Sequence, residues 1–306
     1  MNDLVTWGLE IVRWVQTFRN PLLDPIMGTT YYLGAEDFFI LFLPLIFWCL
    51  HKRLGIRLSA VLLFSIYVNA FFKDLFAAPR PWQVDSKLYA PFKTEGFGMP
   101  SGHSQCAVTF WGYIAAQLKT RWWWALAIFM SLFIGIGRIY VGDHFPQDVL
   151  LGWTFGIGIV AAYAWLQPRV GQWLSQQSMT TQIALAIIVP LALVLIHWTS
   201  DTAKAAGVLI GMYAGLPIEE KYICFDERTT WVKQIIKFAI GAVIILALRF
   251  GLKAIFPEMV IFDLIRYTVM GLWAGVGAPW VFVKAQLAAS SQPSIVKREQ
   301  LANASE

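Results

Sequence analysis

Charge is what this chain has least of. Asp, Glu, Lys and Arg make up only 14% of its 306 residues, while 58% are hydrophobic. A soluble chain of this length would ordinarily form about two domains, and it could not cover their surface with so few charges. Cysteine is scarce too. Cys49, Cys106 and Cys224 form no close pair, which excludes a disulfide framework or a paired-cysteine zinc site. The apolar stretches between residues 36 and 283 are continuous and do not alternate with period two, which argues against a membrane β-barrel. The opening MNDLVTWGLEIVRWVQTFRN lacks a basic leader followed by an apolar core and a small-residue cleavage site. It does not read as a removable signal peptide. The net charge of +5 is modest, and no nucleic-acid partner is expected.

What is present is a series of long apolar runs. They predict membrane-crossing helices near 36–52, 58–76, 104–118, 122–138, 148–166, 182–198, 203–216, 233–254 and 263–283. The fold class is therefore an all-α polytopic membrane protein. Segment 203–216 is short for a bilayer of about 30 Å, and 104–118 must lean on its flanks. Residues 1–35 read as an amphipathic, interfacial segment, whose first helix lies at the interface or forms a weak first span. Leu4, Trp7, Ile11, Trp14, Val15 and Phe18 recur there at helical spacing, interrupted by Glu10, Arg13 and Arg19. Residues 36–166 form a core of spans, 167–181 a polar linker, 182–285 an extension of about four spans, and 286–306 a polar tail.

Basic residues set the orientation. Lys52, Arg53, Arg57, Lys119, Arg121, Arg169, Lys221, Arg228, Lys233, Lys297 and Arg298 are assigned to the cytoplasm. Loops 77–103 and 139–147 then face the other side of a plasma (inner) membrane. Gly207, Gly211 and Gly215, and Gly271 with Gly275, recur every four residues and permit close helix approach. That approach serves packing within the chain or contact with a second copy. His51 and His197 read as interfacial or packed. Loop 217–232 reads as a folded cytoplasmic connection.

Polarity gathers at three span ends on the side opposite the cytoplasm: KDLFAAPRP (Lys73–Pro81), PSGH (Pro100–His103) and GRIYVGDHFPQD (Gly137–Asp148). Each residue has an ordinary reading alone. Lys73 can anchor a span end, Ser101 can cap a helix, and Asp148 can sit on a helix N-terminus. Together they do not, because ionisable groups near a bilayer are costly and these converge. Lys73, Arg80 and Arg138 supply three positive charges, and guanidinium forks match phosphate oxygens. Ser101 and the N–H groups of Gly102 and His103 open a helix, a natural anion site, and Gly102 allows close approach. His144 and Asp148 are four residues apart, with Pro146 suited to a first helical turn. Asp148 can accept from one ring nitrogen and leave the other lone pair free, which makes His144 an oriented nucleophile. His103 remains as a general acid for a leaving oxygen.

The pattern is Lys73, six residues, Arg80-Pro81; then Pro100-Ser101-Gly102-His103; then Arg138, five residues, His144, three residues, Asp148. It resembles the type 2 phosphatidic acid phosphatase superfamily, which includes membrane lipid phosphate phosphatases and soluble vanadium haloperoxidases. The resemblance covers about residues 36–166. It implies a phosphatidic-acid-phosphatase-like helical bundle in which His144 attacks phosphorus to form a phosphohistidine. Asp148 would orient His144, and His103 would protonate the leaving group and then activate water. Lys73, Arg80, Ser101, Gly102 and Arg138 would hold phosphate oxygens, with no metal and no cofactor. One departure is Gly137, where the third motif usually has serine. The Lys73-Asp74 pair and the compact third motif are similar to dolichyl diphosphate and sphingosine phosphate phosphatases.

The expected substrate is a lipid phosphate or pyrophosphate. A polyprenyl carrier comes first, with phosphatidate, phosphatidylglycerol phosphate and sphingosine phosphate as alternatives. Two other classes compete. A metal hydrolase could use His103, Asp143, His144 and Asp148, although Lys73, Arg80 and Arg138 would repel the ion. A non-enzymatic lipid transporter fits the spans, but residues 182–283 carry no second copy of the motifs.

Overall fold

The computed structural model describes residues 3–291, and among these the chain is helical, with no strand. Residues Lys297 and Arg298, and most of the tail expected at 286–306, lie outside the described residues. The chain divides into two compact units. The first comprises residues 1–42 and 57–173, and the second 43–56 and 174 onward.

The first unit opens with α1 (Asp3–Gln16). At 14 residues it is about 21 Å long, too short to cross a bilayer of about 30 Å. Its buried residues are Gly8, Leu9 and Val12, packed on Phe145. Leu4, Trp7, Trp14 and Phe18 stay exposed on the other side. Helix α2 (Leu23–Leu33) follows and ends at Gly34, and α3 (Glu36–Leu45) begins the next run. Pro44 lacks a backbone N–H, and just beyond it the helix widens into a π turn over Ile46–Leu50. The two runs meet at 62°, a broken span or a re-entrant loop. The sequence reading took residues 1–35 as one interfacial segment and so missed α2 as a separate element.

Four helices carry the motifs: α4 (Lys52–Phe76), the single turn α5 (Pro81–Val84), α6 (Gly102–Leu118) and α7 (Arg121–Tyr140). Helix α8 (Pro146–Ser175) completes the set. A buried polar ladder locks α4 to α6. Gln105 Nε2 donates to Ser65 O (2.8 Å) and Asn69 Nδ2 to Gln105 Oε1 (2.9 Å), so both amides are satisfied away from water. Helix α8 lies on the backbone of α6. A Cβ on Gly152 would come within 2.6 Å of Ser101 O, and one on Gly156 within 2.9 Å of Gln105 O.

The second unit holds the π turn and α9 (Met179–Ile196), α10 (Ser200–Ile218), α11 (Trp231–Ile255), α12 (Val260–Leu272) and α13 (Ala278–Lys284). The glycine stripe is spent inside the chain. A Cβ on Gly207 would sit 2.7 Å from Leu264 O, and one on Gly275 2.7 Å from Met212 O. Helices α10 and α12 are thus in backbone contact, and this face is not open to a second copy. Lys237, fully buried on α11, donates to Trp48 O and Glu227 O, both at 2.9 Å, which satisfies the buried cation.

All nine runs read from the sequence are helical here. Among the described residues, six helices are long and apolar enough to cross a membrane, a seventh if the bent α2–α3 pair is one span. Helix α6, with 17 residues, and α10 are not among the six. Two boundaries move. The linker expected at 167–181 is occupied by helix, since α8 runs to Ser175 and α9 starts at Met179 behind its N-cap Ser178. Residues 43–56, placed with the core, pack in the second unit.

Candidate active site

The three motifs meet in the first unit. Pro146 is the first residue of α8, and the Asp148 carboxylate accepts from the Phe145 N–H (2.9 Å), the return half of a capping box. This bond holds the end of the 141–145 loop, where His144 sits just ahead of the helix. The loop begins with Gly142 at φ +66°, where a Cβ would meet Tyr89 O at 2.5 Å. Helix α1 braces it from outside. Phe145 is buried against Leu9 and Val12, and Gln16 Nε2 donates to Tyr89 O (2.9 Å) and Tyr140 O (3.0 Å). Motifs two and three are tied by the Ser101 N–H, which donates to Asp148 O (2.9 Å).

His144 is almost fully buried. Its Nε2 lies 3.3 Å from Arg80 Nη1, and its Nδ1 lies 3.5 Å from Asp148 Oδ2. A guanidinium can only donate, so the hydrogen bond from Arg80 places the lone pair on Nε2 and the proton on Nδ1. The expected Nδ1–Asp148 partnership is present as a 3.5 Å approach, longer than a hydrogen bond, because Asp148 Oδ2 is taken by Phe145. Burial holds the His144 imidazole well below its ordinary value, with Arg80, Lys73 and Arg138 adding to the effect and Asp143 opposing it.

Arg80 and Arg138 are both fully buried. Arg80 is fixed by three carbonyls: Nε donates to Gly96 O (3.0 Å), Nη2 to Glu95 O (3.2 Å) and Nη1 to Asp143 O (3.2 Å). Arg138, in the last turn of α7, donates from Nη2 to Asp143 Oδ2 (2.5 Å). Its Nε and Nη1 have no hydrogen-bond partner among the described residues. The guanidinium carbon lies 5.5 Å from the Tyr31 ring and 5.9 Å from the Phe92 ring, which stack on each other.

Ser101 is the N-cap of α6 and fully buried, with its Oγ accepting from Ser104 Oγ (3.0 Å). Gly102 starts the helix where a Cβ would press on Asn69 Oδ1 at 2.9 Å. The Nε2 of His103 lies 3.1 Å from Tyr31 O on α2, and its ring fills the space left by Gly34. Lys73 donates to Phe97 O (3.2 Å), on the loop beside Arg80, and stays within electrostatic reach of both histidines. All eight site residues named from the sequence therefore lie in this unit, around one focus. Among the described residues, no group of three His, Cys, Asp or Glu side chains is arranged to hold a metal ion.

The sequence reading missed two contributions. Asp143 has no place among the phosphate-site residues named from the sequence. Its Oδ2 instead stands between Arg138 Nη2 (2.5 Å), Arg80 Nη1 (3.0 Å) and Thr94 Oγ1 (3.1 Å). Burial favours the neutral acid, but the charges of Arg138 and Arg80 outweigh it and hold the Asp143 carboxyl below the usual range. The other contribution is α2, which supplies Thr30 and Tyr31. Gly137 is needed because buried Thr30 fills the space its side chain would occupy, with Thr30 Oγ1 donating to Met27 O (2.6 Å).

Residues 54–172 match the family model of the PAP2 superfamily, and residues 203–290 match that of the PAP2 superfamily phosphatase, transmembrane extension. The chain is 24% identical over 188 residues to lipid phosphate phosphatase delta of Arabidopsis thaliana, covering 56% of this chain and 45% of that protein. It is 29% identical over 172 residues to a probable sphingosine-1-phosphate phosphatase of Dictyostelium discoideum, covering 50% and 41%. It is 31% identical over 108 residues to an undecaprenyl-diphosphatase of Sulfolobus acidocaldarius, covering 34% and 51%. The matches to the first two span less than half the length of those proteins. Two family models in the expected order, one over the three motifs and one over the helices that follow, leave one assignment: this multi-pass membrane chain belongs to the PAP2 superfamily.

Proposed function

We propose that the chain is an integral-membrane phosphatase that removes phosphate from a lipid phosphate without a metal. One observation carries the reading. Two buried guanidiniums converge beside the lone-pair nitrogen of His144, and Arg138 still has two nitrogens unspent. Those are the parts a phosphoryl transfer needs: fixed positive charge for the oxygens and an in-line nucleophile.

In the first step His144 Nε2 attacks phosphorus and the P–O bond to the lipid breaks. His103, entering the step as the imidazolium, gives a proton to the departing oxygen. With Nε2–H held on Tyr31 O, Nδ1 is the nitrogen that gives this proton. In the second step Nδ1 takes a proton from water, whose oxygen attacks phosphorus as the P–N bond breaks. Inorganic phosphate leaves and His144 returns neutral. Arg80, Arg138, Lys73, Ser101 and the first-turn N–H groups of α6 hold the oxygens throughout.

Among lipids, a sphingoid-base phosphate is the first choice. The name of the Dictyostelium relative supports it, while the likeness of Lys73-Asp74 is shared by sphingosine phosphate and dolichyl diphosphate phosphatases. The polyprenyl (pyro)phosphate expected from the sequence is the second reading, favoured by the undecaprenyl-diphosphatase match. The distribution of basic residues supports a site on the extracytoplasmic side, and a plasma (inner) membrane is part of the same proposal. The test is phosphate release by the purified chain in detergent, over sphingosine phosphate, polyprenyl pyrophosphate, phosphatidate and phosphatidylglycerol phosphate. His144→Ala and His103→Ala should each abolish release, and chelator should leave it intact. Normal turnover by His144→Ala would refute the mechanism.

A further inference from the structure

The Asp143 carboxylate stands where a phosphate oxygen would be bound. Its Oδ2 receives Arg138 Nη2, Arg80 Nη1 and Thr94 Oγ1, three donors from three separate segments, and lies 3.5 Å from His144 Nε2. The second oxygen accepts from the Thr94 N–H (3.3 Å). A phosphorus atom in reach of Nε2 would have to share this volume and these donors. We propose that Asp143 is an internal occupant of the anion site, which an incoming phosphate must displace, and that it thereby sets the site's affinity for tetrahedral oxyanions.

The geometry makes such displacement a side-chain event. The Asp143 backbone is anchored independently, its N–H on Arg138 O (3.1 Å) and its carbonyl on Arg80 Nη1 (3.2 Å). Rotation about the side chain would free Oδ2 while Arg80 keeps its tie to the Asp143 carbonyl, and it would release the Arg138 guanidinium to the incoming oxygens. The carboxylate also explains how two buried guanidiniums stay side by side with no substrate present. An unpaired pair would carry the full cost of burial and mutual repulsion. A site whose competent form is populated only in part binds its ligand more weakly by that fraction. Substitution that empties the locus should therefore tighten binding. The competing idea is that Asp143 only positions the two arginines, in which case its loss would weaken binding.

This inference rests on the phosphatase reading, and the experiment separates their failures. Inhibition by orthovanadate and by inorganic phosphate is measured on the purified full chain in detergent, together with KM and kcat for sphingosine phosphate. Asp143→Asn and Asp143→Ala are compared with the parent and with Asp143→Glu, which keeps the carboxylate. Vanadate protection against thermal unfolding, read on the same samples, reports binding by the folded fraction only. The expected result is a Ki for both anions about tenfold lower in Asn and Ala but not in Glu, with KM falling in parallel. Unchanged or weaker anion binding in Asn and Ala, with the parent active and protected by vanadate, overturns the inference and leaves the phosphatase reading standing. A parent that neither releases phosphate nor is protected by vanadate overturns the reading beneath it.

Discussion

Replacing Arg138 tests the site more directly than replacing the nucleophile, because the structure sets the size of the effect. The side chain is fully buried and spends one nitrogen on Asp143, while Nε and Nη1 have no partner among the described residues. Each can take one phosphate oxygen. A hydrogen bond to a charged group contributes about 1.5–3 kcal/mol, so Arg138→Ala should lose about 3–6 kcal/mol of transition-state stabilisation. That is about 10²- to 10⁴-fold in kcat/KM. Arg138→Lys keeps the charge but not the planar fork, and should recover only part, ending about 10- to 100-fold below the parent. The assay is phosphate release at sub-saturating sphingosine phosphate in mixed micelles, with thermal unfolding run alongside to confirm that the variants fold. A folded Arg138→Ala whose kcat/KM stays within about threefold of the parent would show that this arginine does not touch the transferred group.

Other expectations follow from the same geometry. Only the neutral imidazole of His144 carries a free lone pair, and its depressed pKa keeps it neutral even below its ordinary value of 6.5. The acid limb of kcat/KM should therefore fall below pH 6.5, and a limb centred above it would contradict the burial argument. Gly137→Ser drives a side chain into Thr30, and overpacking of this kind costs about 1–3 kcal/mol. Thermal unfolding should show that loss, and Thr30→Ala in the same chain should restore part of it; simple additivity of the two would refute the contact. In the second unit, Gly211→Val places its side chain on the α12 backbone at Thr268 and Gly271 and should lower the unfolding temperature markedly. The same change at Gly158, where a Cβ meets nothing, should not.

The helices and the phosphate cradle were legible in the sequence for one physical reason. A bilayer demands long apolar runs, so both the spans and the few buried charges stand out against them. Arg80, Arg138, His144 and Asp148 could be named because nothing else would justify their cost. Where the sequence reading missed, the deciding interaction was tertiary. Along α1 and the turn after it, the apolar stripe of Leu4, Trp7, Trp14 and Phe18 is visible, yet the structure buries Leu9 and Val12 instead. For a membrane-surface helix the conspicuous aromatic face need not be the protein-facing one. Helix α2 carries no strong amphipathic signal, and its value lies in Thr30 and Tyr31, whose roles depend on helices far away in the chain.

Asp143 shows the limit most clearly. In sequence it is one acidic residue in a polar loop, adjacent to a histidine, and every local reading of it is reasonable. Its meaning comes from Arg80, 63 residues earlier, and Thr94, 49 residues earlier, both aimed at the same carboxylate. Charge balance could have raised the question in advance. Three cations meant to face one substrate phosphate would repel each other in its absence unless an anion from the chain stood in. The carboxylate that reaches both arginines is the one on the loop, since Asp148 is committed to the Phe145 N–H. The order Asp143-His144 thus places an internal anion next to the nucleophile, and the substrate phosphate must compete with it for the same guanidiniums.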